Sequence, residues 1–331
     1  MELLHTAYEP ATLQEAITYF ADPDNCLSYL VRKRWPGGVT CPECGSNDVL
    51  FLANQRRWKC RCKHPRAQFS AKVGTIFEDS PLGLDKWLTA MWQIVNCKNG
   101  ISSYEVHRAL GITQKSAWFM DHRIRFALGM GPGEKMSGHV EADETFVGGL
   151  ARNMHADKRA RKITGTGGKD KTMVMGILER GKDGKPSKVR TKVVGSRRKK
   201  SLQAEVRQHV QAGSAIFTDA LKSYEGLTEF EHQVVDHAVE YVRGNVHTNG
   251  LENFWSLLKR GLKGTYISVE PFHLFRYLDE QMFRYNNRKD DEGEPLKDFD
   301  RFDLAVRQIV GKRLTWDHLT GKELATETNA N

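Results

Sequence analysis

The first residues in the chain whose types and spacing could do chemistry are four cysteines between positions 41 and 62. Cys41-Pro-Glu-Cys44-Gly45 sets two thiolates three residues apart, and the glycine permits the tight turn that lets both grip one ion. The second half, Cys60-Arg-Cys62-Lys-His64, offers further soft donors. Zinc takes four tetrahedral nitrogen or sulfur ligands, so Cys41, Cys44 and Cys60 with either Cys62 or His64 would complete a zinc ribbon, Cys62 being slightly preferred. Four protein ligands leave no position for water, so a Zn2+ held there is structural. Cys26 and Cys97 stand alone and read as core residues.

Three carboxylates form a second set. Asp143 lies inside Val140-Glu-Ala-Asp-Glu-Thr-Phe-Val147, mid-strand, where a charge is costly unless paired or bound to metal. Strand alternation puts Asp143 and Glu144 on opposite faces, so at most one of them belongs to a given site. Asp219 closes Ala215-Ile-Phe-Thr-Asp219 at the carboxyl end of another strand, where α/β ligand sites commonly lie. Glu252 sits on a helix, and Asn249, Glu252, Ser256 and Lys259 form one polar stripe along it. Taken singly these are a strand-end charge, a helix cap and a solvated helix residue. Taken together, oxygen ligands on separated elements can hold two Mg2+ ions that activate a water or a 3′-hydroxyl and stabilise the leaving oxygen of a phosphodiester.

The elements that must position these groups are legible from periodicity. A helix is expected around Thr12–Phe20 and another ending in Arg32-Lys33-Arg34. Leu84, Trp87, Leu88, Met91, Trp92 and Val95 make the stripe of an amphipathic helix. Ser102 and Glu105 offer a capping box for a short helix with Val106 and Leu110 on one face. Gly111 turns the chain, and Thr113 caps a second helix through Ala117, Trp118 and Ile124. Two short helices joined by a glycine turn match a helix-turn-helix, in which Gln114, Lys115 and Ser116 would meet base edges or phosphates. Any such pair can imitate the pattern; the neighbouring zinc ribbon and the basic Arg123 and Arg125 favour it here.

After the glycine-rich linker 129–138 the period changes to that of strands, at His139–Val147, Thr172–Leu178, Lys188–Val194 and Ala215–Thr218. A helix near Lys200–Gln211 precedes the last of these strands, and a closing helix spans Leu251–Leu262 with Leu251, Phe254, Trp255, Leu258 and Leu262 on one face. The fold class is therefore α+β and multidomain, ending in an α/β domain with a mixed sheet. An acidic stretch, Asp290–Glu294, and a polar, frayed end at Thr326–Asn331 follow.

Composition sets the partner class. The chain has 331 residues, 50 Lys and Arg against 41 Asp and Glu, and a net charge of +9, a balance that favours a polyanionic partner. Between Lys158 and Lys200 there are 16 basic and 3 acidic residues, so this segment alone outweighs the net charge of the chain. Its flexible part, Thr164-Gly-Thr-Gly-Gly168, suits a DNA-clamping loop, and Arg197, Arg198, Lys199 and Lys200 at its end would hold phosphates. A solvated basic surface is the plainer reading, against which stands the segment's place directly after the first acidic strand. No apolar run reaches the ~20 residues that span a bilayer, and the first residues show no secretory leader, so a cytoplasmic protein associated with the nucleoid when on DNA is expected.

Three blocks carry a resemblance. Ala-Asp143-Glu-Thr-Phe-Val-Gly-Gly149, Thr-Asp219-Ala-Leu-Lys-Ser-Tyr224 and His247-Thr-Asn-Gly-Leu-Glu-Asn-Phe-Trp-Ser-Leu-Leu-Lys-Arg-Gly261 resemble the signature of the bacterial transposases of insertion-sequence family fifteen-ninety-five. The resemblance runs from about Cys41 to Asn287. It implies a zinc ribbon, an RNase H-like catalytic domain and a DDE-type strand-transfer enzyme using Mg2+ or Mn2+. Asp143 and Asp219 would be metal ligands, Glu252 the third with Asn249 as the alternative, and Lys259 and Arg260 would hold transposon-end phosphates. The Cys60-x-Cys62 spacing departs from the usual pattern. The domains expected are 1–40 helical, 41–80 zinc ribbon, 81–128 helix-turn-helix, 129–138 linker, 139–290 catalytic and 291–331 a C-terminal extension. The partners implied are double-stranded DNA, both element ends and target, and a second copy of the chain in a dimer or larger synaptic complex, with no membrane. An RNase H-like nuclease without strand transfer and a domesticated, non-catalytic DNA-binding regulator are the rival readings.

Overall fold

The computed structural model describes residues 8–131, 133–149, 155–162, 171–182, 184–235 and 247–322. Both the expected loop Thr164–Gly168 and the polar end Thr326–Asn331 lie outside the described residues. The chain divides into two compact units, one of residues 1–129 with 297–331 and one of residues 130–296.

In the first unit, α1 (Leu13–Phe20) is capped by Thr12, whose side chain accepts from the Glu15 amide, and α2 (Pro23–Arg34) by Asp22. The strands β1 (Val49–Leu52), β2 (Arg57–Cys60) and β3 (Gln68–Phe69) form an antiparallel sheet in that order. Helix α3 (Leu84–Asn96) buries the expected stripe. Helix α4 (Ser103–Leu110) carries the Ser102/Glu105 capping box, Gly111 ends it at φ 59°, and Thr113 caps α5 (Gln114–Leu128).

Arg123 and Arg125 of α5 are buried, at 4% and 1% exposure, and so do not supply the DNA-facing charge expected of them. The Arg123 guanidinium donates to the Glu78 carbonyl and lies over the rings of Trp87 and Phe119. The aromatic rings on one side and the carbonyl on the other turn Arg123 inward.

The chain returns to this unit through α10 (Asp298–Arg307) and α11 (Trp316–Thr320). Phe299 and Phe302 of α10 pack against Tyr29 and Trp92, and Tyr29 donates to Asp303 at 2.8 Å. Residues after 296 are thus part of the N-terminal core, because α10 covers an aromatic face left by helices α1 to α3.

The second unit is built on five strands, β4 (His139–Val147), β5 (Thr172–Glu179), β6 (Lys188–Val194), β7 (Ala215–Asp219) and β8 (Glu231–Val235). Their order is β6-β5-β4-β7-β8; β4, β5 and β6 form an antiparallel meander, while β7 and β8 run parallel to β4. A short helix α6 (Ala156–Lys162) lies between β4 and β5 in sequence. Helix α7 (Lys199–His209) closes one apolar cluster with Leu202 and Val206; α8 (Asn249–Gly261) and α9 (Leu274–Asn286) close another with Leu251, Phe254, Leu258, Leu274 and Leu278. Strand β8 and helix α9 escaped the periodicity reading for a physical reason. Strand β8 begins Glu-His-Gln, and α9 buries Arg276, Glu280, Gln281 and Arg284 on what a hydrophobic pattern treats as a solvent face.

Candidate active site and zinc centre

Asp143 stands in the middle of the central strand β4, opposite Gly176 of β5. A Cβ on Gly176 would lie 2.6 Å from Cζ2 of Trp255 and 2.8 Å from Leu251, so only glycine lets α8 approach the sheet there. Through that gap the Trp255 indole N–H donates to Asp143 Oδ2 at 2.9 Å. Trp255 was read from sequence only as part of the apolar face of α8; its Nε1 is a polar handle on the acidic site. The same strand parity brings Glu141 onto α8. Glu141 is 1% exposed, and its Oε2 accepts from the Leu251 amide at 2.9 Å, satisfying an otherwise open donor in the first turn of the helix. Arg180 Nε donates to Glu141 Oε1 at 2.7 Å, and its other nitrogen donates to the His247 carbonyl at 2.5 Å. Gly250 leaves the room Glu141 needs, for a Cβ there would sit 2.9 Å from Oε2. Buried Glu141 and its partner Arg180 therefore fix the start of α8 to β4, two residues from Asp143. Glu141 shares the parity of Asp143 in the sequence, the one signal that could have found it.

Asp219 ends β7, the parallel neighbour of β4, and its Oδ1 accepts from the Leu221 amide at 3.1 Å. Asn249, Glu252 and Ser256 are exposed along α8 and Lys259 is half-buried, the polar stripe expected from the sequence. The Asp143 carboxyl is pushed up to about 6, first by burial and further by the charges of Asp219 and Glu252, against the donation from Trp255. Glu252 and Asp219 thus act on Asp143 electrostatically, whereas Asn249 is an exposed residue in the first turn whose amide faces His247 Nδ1 at 3.4 Å.

Glu144 faces away from Asp143 along the strand and accepts from the hydroxyl of fully buried Tyr224, in the turn after Asp219. Burial foremost, then the charges of Asp219 and Asp143, push its carboxyl up to about 7. The turn is also held by Ser223 donating to the Arg197 carbonyl at 2.6 Å and by Gln203 donating to the Ser223 and Glu225 carbonyls. Arg197, Arg198, Lys199 and Lys200 are all exposed at the start of α7, and the Arg197 guanidinium lies over Phe146 at 4.8 Å.

In the first unit, one ligand atom from each of Cys41, Cys44, Cys60 and His64 lies within 4.8 Å of the others. Among the described residues this is the group so gathered; the three carboxylates do not reach such mutual distances. Cys41 Sγ is 3.5 Å from His64 Nε2, and Cys44 Sγ is 3.6 Å from Cys60 Sγ. The donor gathered with the three cysteines is thus His64, the alternative fourth ligand, where the sequence slightly preferred Cys62. Strand β2 ends at Cys60, whose amide donates to the Ala67 carbonyl at 2.7 Å, so residues 61–66 form an excursion. Cys62 is exposed on it, while the longer His64 side chain reaches back. Three thiolates and an imidazole fit a structural zinc.

Of the expected DNA-reading residues on α5, Gln114 donates to Ser103 Oγ at 3.0 Å and Ser116 Oγ accepts from Thr113 at 2.8 Å. Lys115 is exposed, with its ammonium 4.5 Å from the Trp316 ring. Arg260 is exposed near the end of α8. Among the described residues no helix is long and apolar enough to cross a membrane.

Comparison with known proteins agrees with these features. Residues 135–286 match the ISXO2-like transposase domain, and residues 21–65 match the transposase zinc-ribbon domain. An uncharacterized protein in transposable element ISH50 of Halobacterium salinarum is 28% identical over 257 residues, 74% of this chain and 85% of that protein. An uncharacterized transposase-like protein of Haemophilus influenzae is 32% identical over 102 residues, 30% of this chain and 82% of that protein. Among solved structures, a chain of the simian T-cell lymphotropic virus intasome in complex with PP2A regulatory subunit B56 gamma aligns over 65% of this chain and 74% of its own, at 10% identity and a TM-score of 0.28, too loose a likeness to define a fold. With a transposase-domain match, a zinc-ribbon match and a transposase-like relative 32% identical over 82% of its own length, the chain belongs to the ISXO2-like transposases of insertion-sequence family fifteen-ninety-five.

Proposed function

We propose that this transposase is a DDE-type enzyme that binds the terminal inverted repeats of its element, hydrolyses a phosphodiester to free a 3′-hydroxyl, and joins that end to target DNA. The observation that carries the reading is the electrostatic coupling of Asp143, on the central strand, with Asp219 on the adjacent parallel strand and Glu252 on the helix packed over them. Crowded acids, one of them partly buried, are costly unless a cation neutralises them. The strand order, a meander of three followed by two parallel strands on its other edge, supports an RNase H-like assignment of the second unit.

Oxygen donors suit Mg2+ or Mn2+. When bound, such a cation supplies Lewis-acid polarisation of the phosphodiester and a nucleophile active at neutral pH. The chain's own residues do the positioning. Asp143, Asp219 and Glu252 would hold the ion, with Asn249 beside Glu252 on the same helix turn. Trp255 holds the Asp143 carboxylate in place through Oδ2. The Glu141–Arg180 pair sets the start of α8, and with it the height of Glu252 above the sheet. Lys259, Arg260 and the basic run Arg197–Lys200 would bind phosphates on either side. In the first unit, α4 and α5 would serve as a helix-turn-helix, with the zinc ribbon beside it in sequence as a second DNA contact. Two element ends must be held at once, so a dimer or larger assembly on DNA follows.

The test is joining of a labelled 3′ end to plasmid DNA in Mg2+. Wild-type protein is expected to yield joined product, and Asp143→Asn neither cleavage nor joining. Cleavage without joining would leave a nuclease; end cleavage undiminished in Asp143→Asn would end the catalytic assignment.

A further inference from the structure

Beyond the carboxylates, the far end of α8 carries a feature that the catalytic reading leaves unused. The helix widens into a π-turn over Leu262–Tyr266, and the next residue, Ile267, has φ 60° and ψ −56°. The Ser268 amide donates to the Tyr266 carbonyl at 2.6 Å, so Ile267 is the centre of a γ-turn of the rare, positive-φ form. A β-branched residue is strained there. It is also 82% exposed, so no burial of its side chain offsets the strain.

Its flanks are anchored. The Tyr266 hydroxyl donates to Glu280, which is 0% exposed and paired with Arg284 on α9, and the Tyr266 ring packs edge-on against Tyr277. Val269 packs against the cluster under α8 and α9. A buried ion pair and an apolar contact thus hold a strained turn whose only outward product is an apolar tip. Strain maintained by its surroundings gathers at ligand-binding positions.

The tip borders a groove of about 580 Å³ lined also by Gly148 at the end of β4 and by Lys171, Lys259 and Lys263; among its lining residues none is acidic. Val147, at the same end, is four residues from Asp143 along β4, roughly 13 Å of strand.

The geometry points to this groove as an extension of the phosphate path at Lys259, in which Lys171 and Lys263 join it on the backbone phosphates of duplex DNA flanking the scissile bond and Ile267 presses between adjacent bases as a wedge. Apolar wedges inserted at a base step unstack it, and lysines beside them supply the sequence-independent attraction. The inference rests on the DNA-processing reading above, but its readouts do not require cleavage.

The experiment uses the full-length chain in the Asp143→Asn background with uncleaved duplex carrying 2-aminopurine next to the element end. Binding is expected to raise the probe's fluorescence as its stacking is lost. Ile267→Ala should abolish that rise while leaving the salt dependence of binding intact. Lys171→Ala with Lys263→Ala should flatten the slope of log affinity against log salt by about two. Ile267→Gly should melt at a higher temperature than its parent and still lose the fluorescence rise, which separates a defect of the site from a defect of folding. A fluorescence rise that survives in both Ile267 variants, or an unchanged salt slope in the double lysine variant, overturns the site. Either result would leave the catalytic assignment to stand or fall on its own joining assay.

Discussion

Asp143→Asn offers a stability measurement that is independent of any substrate. The carboxyl of Asp143 is raised from an ordinary 3.8 to about 6, chiefly by burial and then by Asp219 and Glu252. A raised carboxyl binds a proton more tightly in the folded than in the unfolded chain. Its contribution to stability is therefore complete below about pH 4 and is lost as pH rises through about 6. The loss is on the order of 2–3 kcal/mol once the group is ionised. Asparagine is neutral, nearly isosteric and can still accept from the Trp255 indole.

In Mg2+-free buffer the variant should accordingly match the wild type near pH 4 and melt roughly 5–10 °C above it at pH 8 in the transition of the second unit. The Glu144 carboxyl also titrates from a raised position, and burial, its main cause, persists, so the variant keeps a shallower decline toward pH 7. Adding Mg2+ should stabilise the wild type and close the gap, and stabilise the variant much less. Scanning calorimetry across pH reads all of this; chelators are avoided because they would also strip the zinc ribbon. A variant that melts with or below the wild type at pH 8, or gains as much from Mg2+, would refute the idea that these acids are crowded in wait for a cation.

Three further outcomes follow from particular contacts. Gly176→Ala drives a methyl group into Trp255 and Leu251 and should cost about 1–3 kcal/mol while weakening end cleavage, measured by urea denaturation and a nicking assay. Glu141→Gln removes the charge that balances half-buried Arg180 and should destabilise the second unit by about 1–3 kcal/mol, whereas Glu141→Gln with Arg180→Met should recover part of it in the same denaturation. His64→Ala should lose the metal from purified protein and unfold the ribbon, while Cys62→Ser keeps one equivalent of zinc, as elemental analysis would show.

Much of the architecture was written in local pattern. The stripe of α3, the capping box of α4, the strands β4 and β6 and the apolar face of α8 all follow from spacing, because each element needs only its own residues to declare a buried side. The candidate acids were legible for the same reason: a charge inside a strand or at its end stands out from its neighbours. What the sequence could not declare depends on which element lies opposite. Arg123 and Arg125 read as DNA-facing cations, yet both are buried, Arg123 beneath Trp87 and Phe119 and against the Glu78 carbonyl. Strand β8 hides because it begins with polar residues, and helix α9 because it buries Arg276, Glu280, Gln281 and Arg284 beside its apolar residues. Spacing left Cys62 slightly ahead of His64, and the return of the chain after Cys60 brings the imidazole inward. Trp255 and Gly176 acquire meaning only as a pair, one giving up a side chain so that the other can reach Asp143. The sequence by itself determined the elements and the donor chemistry; tertiary packing decided which donors converge, since convergence depends on backbone approach between segments that no local period encodes.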